Sequence, residues 1–250
     1  MATIQEMRRT LHEQKNKLGL VSGSINLVED DEAEKNVSAH ISPQGWDIEI
    51  SLKKGFNPVQ DSRQKAYARK KKISDGLETL VTHVALHEHA HWQLPYGSEL
   101  GCPYDTYHLD KILEAVTRAL PKDKQSQASY VANAFEDMII NPRCREFNGD
   151  FSGQVMFWDN EGVSCKASGQ TAFTPFYEAF VKLNLHLFGD NSDIALVKRH
   201  YAKSKKVDEA VEKVIRELNL PKNIQDSSAL FNKKRWPDMA ARFAKILAPL

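Results

Sequence analysis

The stretch from Leu80 to Trp92 reads LVTHVALHEHAHW, and within it lies His87-Glu88-x-x-His91. On a helix, residues four apart share one face with Cβ atoms about 5–6 Å apart. Two imidazoles at that spacing can both reach one Zn²⁺ at about 2.0–2.1 Å. Glu88 is turned about 100° away from His87 around the helix. It therefore misses the metal but can reach a water beside it, as a general base would.

The pattern carries this meaning only on a helix, and the flanking residues predict one. Ser74 or Asp75 can cap its start, with Glu78 placed three residues after Asp75 for a capping box. Leu77, Leu80, Val81, Val84 and Ala85 follow helical apolar spacing, and Pro95 ends the run. His83 extends the stripe by one more turn, but Val84 rather than an acid follows it. We expect His83 behind the metal ligands or as a hydrogen-bonded core histidine. His89 points off the His87/His91 face and is expected at solvent or in a hydrogen bond.

A catalytic zinc site keeps three protein ligands and one open position. The third ligand is expected from Tyr130–Pro142, which has apolar residues at Tyr130, Val131, Ala134, Phe135, Met138 and Ile139. This spacing predicts a buried helix stopped by Asn141-Pro142. Two adjacent acids inside it, Glu136 and Asp137, are costly unless paired or bound to a metal. Glu136 is assigned to the metal and Asp137 to orienting a ligand histidine through its free N–H. The reverse assignment stays open, as does pairing of the acids with Arg143 or Arg145. Glu99, Asp105, His108 and Asp110 are weaker candidates. Cys144 is either a buried thiol or a latent cap on the metal.

The H-E-x-x-H helix followed by a glutamate on a second helix resembles the gluzincin group of zinc metallopeptidases. Asn133-x-x-Glu136-Asp137 followed by Ile139-Ile140-Asn141 is similar to a helix of metallopeptidase-like proteins associated with von Willebrand factor A domains. The resemblance spans roughly residues 74–142. It implies a zincin-like α+β fold, one Zn²⁺ held by His87, His91 and Glu136, and peptide-bond hydrolysis with Glu88 as general base. Two departures stand out: the interval from His91 to Glu136 is longer than in thermolysin-like enzymes, and no D-x-S-x-S segment is present. A donor for the oxyanion would come from a second lobe, where His186, His200, Tyr177, Tyr104 and Tyr107 are available.

The rest of the chain predicts the frame around this site. An amphipathic helix over 3–18 precedes strands at Val21–Val28, Val37–Ile41 and Trp46–Leu52. The last alternates Trp46, Ile48, Ile50 and Leu52 with polar residues, the period of a half-buried strand. Pro43-Gln44-Gly45 would join the last two strands as an antiparallel hairpin. Trp46–Leu52 is the candidate edge strand to which a substrate peptide adds. A short helix covers 107–120, and 143–173 reads as irregular, with room for a hairpin or lid. Helical spacing returns at Phe176–Phe188, Ser192–Lys203, Val207–Leu218 and Pro237–Leu247. We expect a small antiparallel or mixed sheet on the active-site helix in residues 1–145, and a mainly helical lobe, 146–250, closing the cleft.

Charge and cysteines bound the remaining classes. The net charge of +1 gives no general attraction to nucleic acid. One local exception is the basic run RQKAYARKKK over Arg63–Lys72, a solvated helix face or a contact for nucleic acid. Met1–Glu6 is too polar for a signal peptide, and no apolar run approaches the ~18 residues of a membrane span. Cys102, Cys144 and Cys165 lack C-x-x-C spacing and read as reduced thiols, which suits a cytoplasmic protein. The leading expectation is a zinc metallopeptidase acting on a peptide or protein. The alternatives are a zinc-bearing interaction module without catalysis and a DNA-associated protease recruited through Arg63–Lys72.

Overall fold

The computed structural model describes residues 3–18, 24–33, 35–41, 47–92, 106–148, 150–170, 172–222, 224 and 233–250. Its class is α+β. Among these residues, three strands form one mixed sheet and ten α-helices surround it.

The strands are β1 (Ile25–Asp30), β2 (Val37–Ile41) and β3 (Ile48–Lys53), in the order β1-β3-β2. β1 runs parallel to β3, with Leu27 opposite Ile50. β2 runs antiparallel to β3, with Ala39 opposite Ile50, as the expected hairpin requires. The turn Pro43-Gln44-Gly45 and Trp46 lie outside the described residues. The expected edge strand is corrected: β3 is central, and β2 has no strand beyond it among the described residues. Ile48, Ile50 and Leu52 explain the placement. All three are buried on one face, and burying such a side chain contributes roughly 1.5–3 kcal/mol.

Helix α1 (Ile4–Leu18) lays Met7 and Leu11 into the core, and Arg8 donates to the Leu27 carbonyl at 3.0 Å. Helix α2 (Ser62–Lys71) begins at Asp61, whose side chain accepts from the Arg63 and Gln64 amides in a capping box. Helix α3 (Gly76–Trp92) carries the H-E-x-x-H residues. Asp75 caps it, accepting from the Leu77 amide at 2.9 Å and the Glu78 amide at 3.1 Å. Leu77, Leu80, Val81, Val84, Ala85, Leu86 and Ala90 are all buried, so apolar residues occupy most of its circumference. Such a helix belongs at the centre of a fold. It contacts α1, β2 and β3 together with the helices at Ala128–Asn148 and Ser152–Ala167. His89 is buried rather than solvent-facing, because the face opposite His87 and His91 is covered too.

Helix α4 (Thr106–Ala119) follows, then α5 (Ala128–Asn148) with the two acids. The expected stop at Asn141-Pro142 is corrected: Pro142 lies inside α5. An interior proline removes one helical hydrogen bond and costs about 3 kcal/mol or more. Ile139, Ile140, Asn141 and Cys144 are buried around it, so packing holds the turn helical. The expected irregular segment at 143–173 is also corrected. Helix α6 (Ser152–Ala167) occupies it and packs along α3. Its glycines mark close approaches rather than loops. A Cβ on Gly153 would lie 2.3 Å from the His83 Cβ, and one on Gly162 would lie 2.2 Å from the His200 ring.

Four more helices complete the chain: α7 (Pro175–Phe188), α8 (Asn191–Val197), α9 (Lys205–Leu218) and α10 (Trp236–Leu247). The expected helix over Ser192–Lys203 is shorter, because a 3₁₀ turn at Lys198–His200 follows α8. One buried apolar cluster runs from Met7 to Leu247 and joins the sheet to the C-terminal helices. No helix among the described residues is long and apolar enough to cross a membrane.

Candidate metal centre

α3 and α5 pack side by side, and their facing turns bring four polar side chains together. Positions i and i+4 on α3 place His87 Nε2 3.1 Å from His91 Nε2. From α5, Asp137 Oδ1 lies 3.4 Å from His87 Nε2 and 3.3 Å from His91 Nε2. Glu136, the preceding residue, is turned toward the far side of His91, with Oε1 3.2 Å from Nδ1. The expected placement of the two acids, Glu136 toward the histidine pair and Asp137 behind it, is corrected. Asp137 faces both imidazoles at once, and Glu136 sits behind one of them.

The hydrogen-bond chain behind His87 decides which of its nitrogens carries a proton. The Phe180 carbonyl can only accept, so the Asn184 amide nitrogen donates to it at 2.9 Å. Asn184 Oδ1 then accepts from Asn141 Nδ2 at 2.9 Å. Asn141 Oδ1 is left facing His87 Nδ1 at 3.0 Å. Nδ1 must donate, so in the neutral ring Nε2 carries the lone pair. The Glu136 carboxylate favours the same tautomer on His91 by drawing a proton to Nδ1. Two lone pairs and a carboxylate oxygen then point at one another.

Such an arrangement calls for a positive centre. The contacts of 3.3 and 3.4 Å are longer than normal N–H···O hydrogen bonds. Asp137 Oδ1 and Glu136 Oε1 are buried without a hydrogen-bond partner. An ion held tetrahedrally with ligands at about 2.0–2.1 Å sets those ligands about 3.3–3.4 Å apart. The observed triangle of 3.1, 3.3 and 3.4 Å is close to that figure. His87, His91 and Asp137 also form the one group of three or more His, Cys, Asp or Glu side chains among the described residues that could hold a metal.

Electrostatics agree. Burial alone would lower the His87 pKa, but the Asp137 carboxylate outweighs it and holds the imidazole well above its ordinary value. His91 is also raised, because the Glu136 carboxylate outweighs the burial that would lower it. The two carboxylates thus favour positive charge at the histidine pair.

Around the cluster lies a cleft of about 560 Å³. Glu88 lines it beside His87 and Asp137, and Val37, Ser38 and Ala39 of β2 form one rim. No family model, curated protein or solved structure matches the chain. The functional reading rests on the geometry.

The other expected residues divide clearly. His83 is buried, with Nε2 2.8 Å from Gln154 Oε1, and it lines the cleft without joining the ligand triangle. Burial pushes its pKa down to about 4, so the ring is neutral. Cys144 is fully buried, and burial pushes its thiol up. Arg145 donates to the Phe188 and Ile224 carbonyls rather than to the acids. His200 lies in a buried network with Asp159, 2.8 Å away, and His186 faces a different groove. Tyr177 is the member of the donor set that lines the cleft. Asp110 is exposed; Glu99, Asp105, Tyr104 and the side chains of Tyr107, His108 and Arg143 lie outside the described residues.

Sequence reasoning missed Asn141 and Asn184. The available signal was a buried asparagine one turn after Asp137, on the same helix face.

Proposed function

We propose that the protein is a zinc-dependent metallopeptidase. The observation that carries this reading is the triangle of His87 Nε2, His91 Nε2 and Asp137 Oδ1, at edge lengths of 3.1–3.4 Å, beside Glu88 in an open cleft. The carboxylate ligand is then an aspartate, where gluzincins use a glutamate. A zinc ion held there would polarise the scissile carbonyl and lower the pKa of a nearby water toward about 7.

The chain's own groups supply the rest. Glu88 accepts the proton of the attacking water on a carboxylate oxygen and passes it to the leaving amine. The open edge of β2 can hold an extended peptide by main-chain hydrogen bonds across the cleft. Burial, followed by nearby Glu161, holds the Tyr177 hydroxyl well above its ordinary pKa. It stays protonated at neutral pH and can donate to the carbonyl oxygen as charge develops. Asn141 holds the His87 imidazole in the tautomer that presents Nε2, and Glu136 lies beside His91 Nδ1.

Zinc content and peptidase activity should be measured in the native chain, in His91→Ala and in Glu88→Gln. The expected results are zinc with turnover, little zinc, and zinc without turnover. Zinc binding with no cleavage across a broad peptide library would replace catalysis with a zinc-bearing interaction module.

A second reading concerns recruitment. Arg63, Lys65, Arg69, Lys70 and Lys72 are exposed on or directly after α2, whereas Lys71 pairs with Asp190 and Asp193, each at 2.8 Å. None of the α2 cations lines the cleft. They could attach the protein to nucleic acid without entering the chemistry, and salt-sensitive DNA binding lost on neutralising them would establish this.

A further inference from the structure

Beyond the ligand cluster, the cleft changes character. Phe157, Trp158, Phe173, Tyr177 and Phe180 line it there, together with one carboxyl group, that of Glu161. Phe157 and Glu161 are four residues apart on α6, so both project into the same space. Glu161 is half-buried and makes no hydrogen bond or ion pair among the described residues. Lys35, exposed on the β2 side of the cleft, acts on it only through charge at a distance. Tyr177 lines the same cleft as Glu161, His87 and Asp137.

A carboxyl group in an aromatic wall, without donors, is costly to bury. Burial pushes its pKa up accordingly, and Lys35 offsets this only in part. A cation entering the cleft would meet a carboxylate and the faces of aromatic rings, a combination that favours ammonium and guanidinium groups. We propose that Glu161, with Phe157 and Tyr177, forms a specificity pocket that takes a cationic group of the peptide substrate. Two groups carry that chemistry: a Lys or Arg side chain, or the free N-terminal amine. The inference rests on the metallopeptidase reading and names its substrate class.

The test uses one peptide series carrying Lys, Arg, Met or Glu at each position in turn, with the N-terminus free or acetylated. Cleavage is measured with the native chain and with Glu161→Gln and Glu161→Lys. Binding of the same peptides is measured with the Glu88→Gln chain and with Glu88→Gln/Glu161→Gln. Native kcat/KM should favour Lys or Arg over Met, or a free over an acetylated N-terminus, by about tenfold or more. Glu161→Gln should abolish that preference, and Glu161→Lys should turn it toward Glu. A preference for Lys or Arg in the acetylated peptides assigns the pocket to the side chain; a preference for the free over the acetylated N-terminus, at any side chain, assigns it to the terminal amine. Cleavage that ignores both side-chain charge and acetylation of the N-terminus, or a preference unchanged in Glu161→Gln, overturns the pocket and leaves the peptidase standing. Charge-selective binding to Glu88→Gln that disappears in the double variant, with no cleavage by the native chain, sustains the pocket and removes the peptidase. Failure of all peptides both to bind and to react removes both.

Discussion

Asn141 Oδ1 lies 3.0 Å from His87 Nδ1, and Asn141 in turn donates to Asn184. Its orientation is settled two hydrogen bonds away, at the Phe180 main-chain carbonyl, which can only accept. The proton on His87 is thereby kept on the ring edge away from Asp137. Groups that hold a ligand histidine in this way are typically worth about 10–100-fold in metal affinity. Asn141→Leu should weaken zinc binding by about that factor, read by chelator competition. Asn184→Ala should give a smaller loss of the same sign. Affinity unchanged in Asn141→Leu would remove this role.

The two adjacent acids should separate cleanly. Asp137→Ala removes the carboxylate that faces both imidazoles, and zinc retention should fall to near background. Glu136→Gln keeps a polar group at His91 Nδ1 and should retain zinc with reduced affinity. Metal analysis of the purified variants, beside their circular dichroism, distinguishes the two. Equal loss in both would return Glu136 to the metal.

His83 supplies a pH signature. Its pKa in the fold is about 4, driven down by burial first and by neighbouring His87 second. In the unfolded chain it returns to about 6.5. The unfolded state therefore binds the proton first, and stability falls as pH drops through that interval. The loss from this ring alone approaches ~3 kcal/mol below about pH 4. Ring-nitrogen NMR shifts should show His83 neutral at pH 5.5, where a solvent histidine is mostly charged. A His83 midpoint near 6.5 in the folded protein would contradict the burial of this ring.

Gly153 sets the distance between α6 and α3. An added Cβ would meet the His83 Cβ at 2.3 Å and the Thr79 carbonyl oxygen at 2.8 Å. Neither atom is the free end of a side chain, so the helices must part. Gly153→Ala should cost about 1–3 kcal/mol despite the better helix propensity of alanine. Chemical denaturation measures this directly. A stabilised variant would mean that α6 approaches α3 less closely than described.

Much of the site was legible before folding was considered. The spacing of His87, Glu88 and His91 implies a shared helical face and a carboxylate beside it, because helix geometry is local. Asp75 as cap and the alternation of Ile48, Ile50 and Leu52 are local in the same sense. Other features were not legible, since the same residues admit more than one tertiary arrangement. Glycines in α6 read as loop signals until α3 is found against them, and β3 reads as a possible edge until β1 pairs with its far side. Pro142 reads as a stop until buried neighbours outweigh its missing hydrogen bond.

The choice between Glu136 and Asp137 shows the boundary most clearly. Neighbouring helical residues point about 100° apart, so the amino-acid order alone establishes that one of them faces α3 squarely and the other obliquely. Which one does so depends on how α5 is rotated about its axis. That rotation comes from packing the whole buried face of α5, Val131, Ala134, Phe135, Met138 and Ile139, against the rest of the core. It is a property of the assembled interior, where many small contacts are satisfied together, and no local stretch of chain contains it.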